Sequence, residues 1–211
     1  MIEVENLSRR YGRRWALADV TFSLPDGKTL MVAGHNGSGK TTLLRILATA
    51  IRPDRGLAKV AGFDVVRERE DVRHRTGFLG HYSYLYESLT ARENLEVFAA
   101  HRKSGVPGEL LEQVGLASRA NDQVATFSAG MRKRLSLARL LLQAPRVALL
   151  DEPYGQLDPA GFALIDGIVQ TLAASGASVV ISTHQVDRVA AYANARITLE
   201  AGRLIEFTAA A

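Results

Sequence analysis

The densest chemistry in the chain lies in nine consecutive residues, Gly34-His35-Asn36-Gly37-Ser38-Gly39-Lys40-Thr41-Thr42. They match the pattern G-x-x-x-x-G-K-[ST], and each part of that pattern acts on phosphate. Gly34, Gly37 and Gly39 let the backbone turn its N–H groups inward with no Cβ in the way, so the loop forms an anion nest. A helix starting near Lys40 adds unpaired first-turn donors and the positive end of its dipole. Lys40 is expected to reach the outer phosphates, and Thr41 to offer a hydroxyl to a magnesium ion. Far downstream, Asp151-Glu152-Pro153 follows a continuous apolar run. Asp151, at the carboxyl end of a buried strand, can hold magnesium directly or through water, opposite Thr41. Glu152 can reach a water in line with a terminal phosphate and take its proton. Three further residues read two ways when taken alone. Tyr11, among arginines at a chain reversal, could stack on a base or be an ordinary exposed aromatic. Ser128 reads as a helix N-cap and His184 as a structural histidine.

These residues need elements to hold them. Ile2 to Leu7 and Ala16 to Leu24 alternate apolar and polar residues as half-buried strands do, before a Pro25-Asp26-Gly27 turn. Lys28 to Ala33 is the strand that feeds the loop. Leu43, Leu44, Leu47 and Ile51 give the helix from Lys40 to Ile51 an apolar face, and Arg52-Pro53-Asp54-Arg55-Gly56 stops it. The pattern then predicts a strand over 57–62, a charged helical piece over 67–75 and a strand over 76–79. Helical spacing over 90–101, 108–116 and 130–143 marks a helical insert between two α/β pieces. Val147 to Leu150 is a strand of the buried parallel type. A helix over 159–174, a strand over 178–181, a helix over 185–192 and a hairpin over 196–207 around Ala201-Gly202 complete the chain.

With 211 residues, 47% apolar and 23% charged, the chain can bury a core as one domain or as a core with a subdomain. No apolar run approaches the roughly 20 residues that cross a bilayer, and the first residues carry neither a basic nor an apolar leader segment. Zero cysteines exclude disulfides and thiolate metal sites, which agrees with a reducing cytoplasm. The formal charge of +4 is small, although arginines bunch at Arg9, Arg10, Arg13 and Arg14, from Arg67 to Arg75, and from Arg132 to Arg134. These are read as solvated faces, and no nucleic acid is expected as a partner.

Order decides between the two readings of the isolated residues. Tyr11, the 34–42 loop, His81, Ser128-Ala129-Gly130, Asp151-Glu152, Leu157-Asp158 and His184 occur in a sequence and spacing that resembles the ATP-binding cassette (ABC) ATPases, over about residues 2 to 207. The resemblance implies an α/β fold: a P-loop NTPase core, with a RecA-like mixed sheet plus an antiparallel β subdomain, and an α-helical subdomain inserted at about 85–143 of a single domain spanning 1–211. It implies that ATP and Mg2+ are bound. Tyr11 looks like the aromatic that stacks on adenine. Gly34, Asn36, Gly37, Ser38, Gly39, Lys40, Thr41 and Thr42 match the Walker A loop. Asp151 and Glu152 match the Walker B aspartate and the catalytic glutamate, and His184 the switch histidine. Ser128 and Gly130 are similar to the signature that contacts ATP bound to a second copy, and Asp158 to the loop that links the two sites. The working unit implied is an ATP-dependent head-to-tail homodimer. The helical insert would grip integral membrane subunits, on the cytoplasmic face of the inner or plasma membrane.

Three features depart from the family pattern. His81 stands in place of the usual glutamine; its neutral ring can still bond a water or approach magnesium, and would lose that acceptor on protonation. The signature reads Phe127-Ser128-Ala129-Gly130-Met131, and Gln156 is bulkier than the usual small residue. The Phe78-Leu79-Gly80-His81 run, the Ser-Ala-Gly signature and a chain expected to carry no appended regulatory segment look most like the ATPase subunit of the haem exporter of cytochrome c maturation. The alternatives are the ATPase of another exporter, for drugs, lipids or polysaccharides, and a soluble cassette outside transport.

Overall fold

The structure, a computed structural model, describes residues 1–102 and 106–209. Residues 103–105, within the expected insert, and 210–211, at the end of the expected domain, lie outside the described residues. The chain opens with two long antiparallel strands, β1 (Ile2–Tyr11) and β2 (Arg14–Leu24), followed by β3 (Thr29–Ala33) and helix α1 (Lys40–Leu47). Next come β4 (Arg55–Val60), the two-residue β5 (Phe63–Asp64), α2 (Arg69–Arg75) and β6 (Thr76–Leu79). A helical stretch follows, comprising α3 (Ala91–Arg102), α4 (Pro107–Gln113) and α5 (Ala129–Leu142). The chain then returns to the sheet with β7 (Val147–Asp151), α6 (Pro159–Ala174), β8 (Ser178–Ser182), α7 (Val186–Ala190), β9 (Ala195–Glu200) and β10 (Arg203–Ala209).

Two sheets result. One is antiparallel, in the order β2-β1-β4-β5; the other has six strands in the order β10-β9-β3-β8-β7-β6. In the second sheet β9, β3, β8, β7 and β6 run parallel, and β10 closes the edge antiparallel to β9. The mixed α/β fold and the separate antiparallel sheet agree with the sequence expectation. Every residue of β3, β7 and β8 is buried, because both faces of the parallel sheet are covered. Leu30 and Val32 of β3, Val147 and Leu149 of β7 and Val180 of β8 point into a core shared with α1 and the antiparallel sheet. Their neighbours Met31, Ala148, Leu150, Val179 and Ile181 point the other way, into a core built from the inserted helices and α6.

The boundaries differ from expectation in several places. α1 ends at Leu47 rather than Ile51: Ala48 caps it and Thr49 takes a φ of 59°, a left-handed turn that the apolar spacing does not reveal. β1 runs on to Tyr11 through irregular pairing between Val4 and Arg10, which allows Leu7 and Ser8 to be buried side by side. The last helix covers five residues, 186–190, instead of 185–192. Several of the clustered arginines are engaged within the fold. Arg9 pairs with Asp54 at 2.9 Å, and Arg10 and Arg55 both lie over the Trp15 ring. Among the described residues no helix is long and apolar enough to cross a membrane.

Candidate functional site

β3 delivers its chain end at the carboxyl edge of the parallel sheet, and the 34–39 loop turns there into α1. Gly39 occupies the N-cap position with a φ of 113° and no side-chain cap, so the first-turn N–H groups of α1 are left for another acceptor. Only glycine suits this position, since a Cβ would come 2.4 Å from the Ala16 carbonyl oxygen. The loop floors a cleft of about 410 Å³ lined by Asn36 to Thr42, with Glu152 at one end and Tyr11, Arg14 and Ala16 at the other. Tyr11 and Arg14 are cross-strand partners at the tip of the β1–β2 hairpin, which puts both at the cleft mouth. Tyr11 is half exposed, with the Arg9 guanidinium over its ring at 5.0 Å. Lys40 is 6% exposed and curls back over the loop, donating to the carbonyls of Gly34 at 2.7 Å and His35 at 3.2 Å.

At the other end of the cleft, strand register brings the acidic residues to the loop. Asp151 pairs with Ser182 across β7 and β8, and its Oδ1 accepts from Thr41 Oγ1 at 3.1 Å and from Ser182 Oγ at 2.7 Å. Glu152 leaves the strand with a φ of 47°, in the left-handed region. Its Oε1 is buried without a hydrogen-bond partner, 3.8 Å from Lys40 Nζ and 3.3 Å from His184 Nε2. The His184 N–H donates to Glu152 Oε2 at 3.3 Å, and its Nε2 lies 2.8 Å from Asn36 Oδ1. A ring protonated on Nε2 therefore points its proton between Asn36 and Glu152. Lys40, Thr41, Asp151, Glu152, His184 and Asn36 thus meet at one end of the cleft.

A magnesium ion fits the Thr41–Asp151 corner. Both groups offer hard oxygen donors, and the adjoining Ser38 Oγ and Glu152 Oε1 are buried polar atoms without hydrogen bonds. Among the described residues no group of three or more His, Cys, Asp or Glu gathers anywhere as a metal cage. One carboxylate and one hydroxyl suit an ion that takes its remaining ligands from water and phosphate. Bound there, magnesium would neutralise phosphate charge.

His81 is not brought to this corner. The segment after β6 is pinned to the inserted helices: Arg139 Nη1 donates to the Tyr84 carbonyl at 2.9 Å, and Asn94 Oδ1 accepts from the Tyr86 N–H at 2.8 Å. His81 is consequently exposed, edge-on to Tyr82, and it lines a second cleft with Glu87, Arg132, Lys133 and Gln156. The expectation that it joins Thr41 and Asp151 around the metal does not match this geometry. Ser128, Gly130 and Asp158 also lie away from the phosphate loop, together on a separate surface. Ser128 caps α5 by accepting from the Met131 N–H at 3.2 Å, and Gly130 packs so closely that a Cβ would come 3.0 Å from the Gln156 carbonyl oxygen. Asp158 caps α6 by accepting from the Gly161 N–H at 2.8 Å. That bond, with help from Arg134, holds its carboxyl below the usual aspartate range.

A family model described as ABC transporter matches residues 17–155, which takes in both the phosphate loop and the acidic pair. The chain belongs to the ABC transporter family. It is 40% identical over 210 residues to the daunorubicin resistance ATP-binding protein DrrA3 of Streptomyces coeruleorubidus, covering 97% of this chain and 66% of that protein. The chain thus spans about two thirds of the length of that relative. It is 35% identical over 190 residues to the cytochrome c biogenesis ATP-binding export protein CcmA of Nitrosococcus oceani, covering 90% of this chain and 88% of that protein. A solved dimeric bacterial ABC transporter cassette superposes with a TM-score of 0.87 at 26% identity, covering 99% of this chain and 98% of that one. The fold is that of the ABC transporter cassettes.

Several residues of this cassette's site escape sequence reasoning. Ser182 carries no motif, yet its Oγ donates to Asp151 while accepting from the Glu152 N–H at 3.1 Å. Lys133, on α5, donates to the Glu152 carbonyl at 3.2 Å. Burial pulls its ammonium below the usual lysine value, while the charges of Asp151 and Glu152 oppose that shift. Tyr154, two residues past Glu152, is buried, and its hydroxyl donates to Asp166 Oδ1 of α6 at 2.6 Å and lies 2.6 Å from the Tyr192 hydroxyl. Arg188 of α7 closes the cluster at 2.5 Å from Asp166 Oδ2. Burial first, then these hydrogen bonds, push the Tyr154 phenol far above the usual tyrosine value. Burial likewise drives Tyr192 up to about 12. The spacing rules see strands and helices one at a time, and these contacts join residues far apart in sequence, several of them in turns.

Proposed function

We propose that the chain is the ATP-binding and hydrolysing subunit of an ABC export complex. The observation that carries this reading is the meeting of Lys40, Thr41, Asp151, Glu152 and His184 at one end of a cleft whose other end is Tyr11. ATP lies along that cleft, with adenine against Tyr11 and its phosphates in the 34–42 loop, where Gly34, Gly37 and Gly39 leave backbone N–H groups open. Lys40 gives up its carbonyl partners to bind the outer phosphates. Thr41 and Asp151 would hold the magnesium. Glu152 takes a proton from a water that attacks the terminal phosphorus, and ADP departs. His184, steadied by Asn36, stands where it can bond the terminal phosphate. His81 is assigned to no step.

Ser128, Gly130 and Asp158 share a surface remote from their own copy's loop, which supports a role toward ATP held by a second copy in a head-to-tail dimer. The helical insert, about 85–143, is the part assigned to integral membrane subunits, and the chain would work at the cytoplasmic face of the membrane. Relatives named for cytochrome c biogenesis and for daunorubicin resistance are comparably similar to the chain. Export of haem and export of a drug-like molecule are therefore the two cargo classes to separate, by identifying the membrane protein that co-purifies.

Glu152→Gln keeps the shape of the side chain and removes the base. In ATP and magnesium it should accumulate as a dimer by size exclusion with light scattering, and adding Ser128→Arg should return it to monomer. A double variant that still dimerises refutes the head-to-tail arrangement. Undiminished ATP turnover by Glu152→Gln refutes the assignment of the base.

A further inference from the structure

Lys133 sits one turn beyond Gly130 on α5, half-buried, and among the described residues it forms no ion pair. Its ammonium reaches across to the main chain of another element, the Glu152 carbonyl at 3.2 Å. An ammonium drawn out of water for a single carbonyl is a poor source of stability, since desolvation offsets most of what the bond contributes. The carbonyl it selects is unusual. Glu152 holds a left-handed φ of 47°, a conformation that persists in a non-glycine residue where the surroundings enforce it. Ser182 grips the N–H side of Glu152 with its carbonyl and hydroxyl oxygens, both at 3.1 Å. Lys133 and the Gly155 N–H, the latter at 3.3 Å, grip the C=O side. The direction in which the Glu152 carboxylate leaves the backbone follows from that clamp, and one of its jaws belongs to the helix that begins with Ser128 and Gly130.

We infer that Lys133 is a positioning residue that ties the placement of α5 to the aim of the Glu152 carboxylate, so that engagement of the Ser128–Gly130 surface by a second copy's nucleotide sets up hydrolysis in the first. This rests on the ATPase reading given above. A small displacement of α5 acts on the Glu152 carbonyl through one hydrogen bond, and a shift of about 1 Å at a general base is worth roughly a hundredfold in rate. Ser128 thereby reports to Glu152 of its own copy without a contact between their side chains.

The test compares the full chain with Lys133→Met, which keeps length and apolar stem, and Lys133→Arg, which restores a donor. Lys133→Met should lower kcat by about 10- to 100-fold, leave the KM for ATP within about twofold, and bring the Hill coefficient for ATP towards one. Lys133→Arg should recover part of kcat. In the Glu152→Gln background, Lys133→Met should still form the ATP-bound dimer. Unchanged kcat in Lys133→Met overturns the inference, as does loss of the dimer in the double variant, which would make Lys133 an assembly residue. If Lys133→Met melts early, Lys133→Arg decides: full stability without any recovery of kcat over Lys133→Met also overturns it. Absence of ATP turnover in the unaltered chain would instead strike the ATPase reading itself, so the two failures are distinguishable.

Discussion

Replacing Tyr154 by phenylalanine removes one oxygen atom from the cluster that joins the end of β7 to α6 and α7. That oxygen donates to the Asp166 carboxylate at 2.6 Å and lies 2.6 Å from the Tyr192 hydroxyl. A hydrogen bond to a charged acceptor contributes roughly 1.5–3 kcal/mol net and a neutral one about 1 kcal/mol. Asp166 keeps Arg188 at 2.5 Å and a longer bond from Tyr192 at 3.4 Å, so the loss is partly absorbed. The expected cost is about 2–3 kcal/mol. For a domain of this size that corresponds to a fall in Tm of roughly 5–10 °C, read by circular dichroism. The effect has a pH signature. Both phenols are held above their ordinary value in the folded chain, so the folded state binds more protons than the unfolded one at alkaline pH. Their contribution is complete below about pH 10 and is lost as pH rises through the folded values, about 12 for Tyr192. The gap in Tm between the unaltered chain and Tyr154→Phe should therefore narrow from about pH 10 to about pH 11.5. A gap under about 1 °C at neutral pH, or one that widens on the alkaline side, refutes the reasoning.

Lys40→Ala should weaken ATP binding by at least about a hundredfold by calorimetry, because in the proposed complex the ammonium would be the fixed charge facing the outer phosphates; equal affinities would sink the phosphate-loop assignment. Gly39→Ala should cost about 3 kcal/mol or more by urea denaturation, since it adds a Cβ 2.4 Å from the Ala16 carbonyl oxygen at a φ of 113°. A variant with an unchanged denaturation midpoint would show that the loop can relax away from β2.

Legibility from sequence followed the range over which each feature is determined. The 34–42 loop was readable because its chemistry is local, and Asp151-Glu152 because a buried strand announces itself as an unbroken apolar run. The antiparallel start, the parallel core and the helical stretch between them were readable from periodicity. Ser182 was invisible, since its value depends on standing opposite Asp151 in the β7–β8 register. Lys133 was hidden among arginines on a helix whose rotation is set by packing. His81 shows the converse failure. Its position in the chain pointed to the metal, yet the path of its loop is decided by Arg139 and Asn94, which grip Tyr84 and Tyr86. The apolar spacing of α1 continues to Ile51, while the backbone reverses at Thr49 and ends the helix at Leu47.

The parallel sheet divides the interior into two cores, with α1 and the phosphate loop on one side and the inserted helices on the other. A wall of that kind isolates as well as supports. In the proposed transport complex, torque applied to the insert by a membrane protein would strain the packing of the insert's own compartment first. What the torque does reach is the rim of the wall, where β7 and β8 end in Asp151 and Ser182 and where Lys133 touches Glu152. On that reading the architecture would act as a mechanical filter, damping movement towards the phosphate loop and passing it to Glu152.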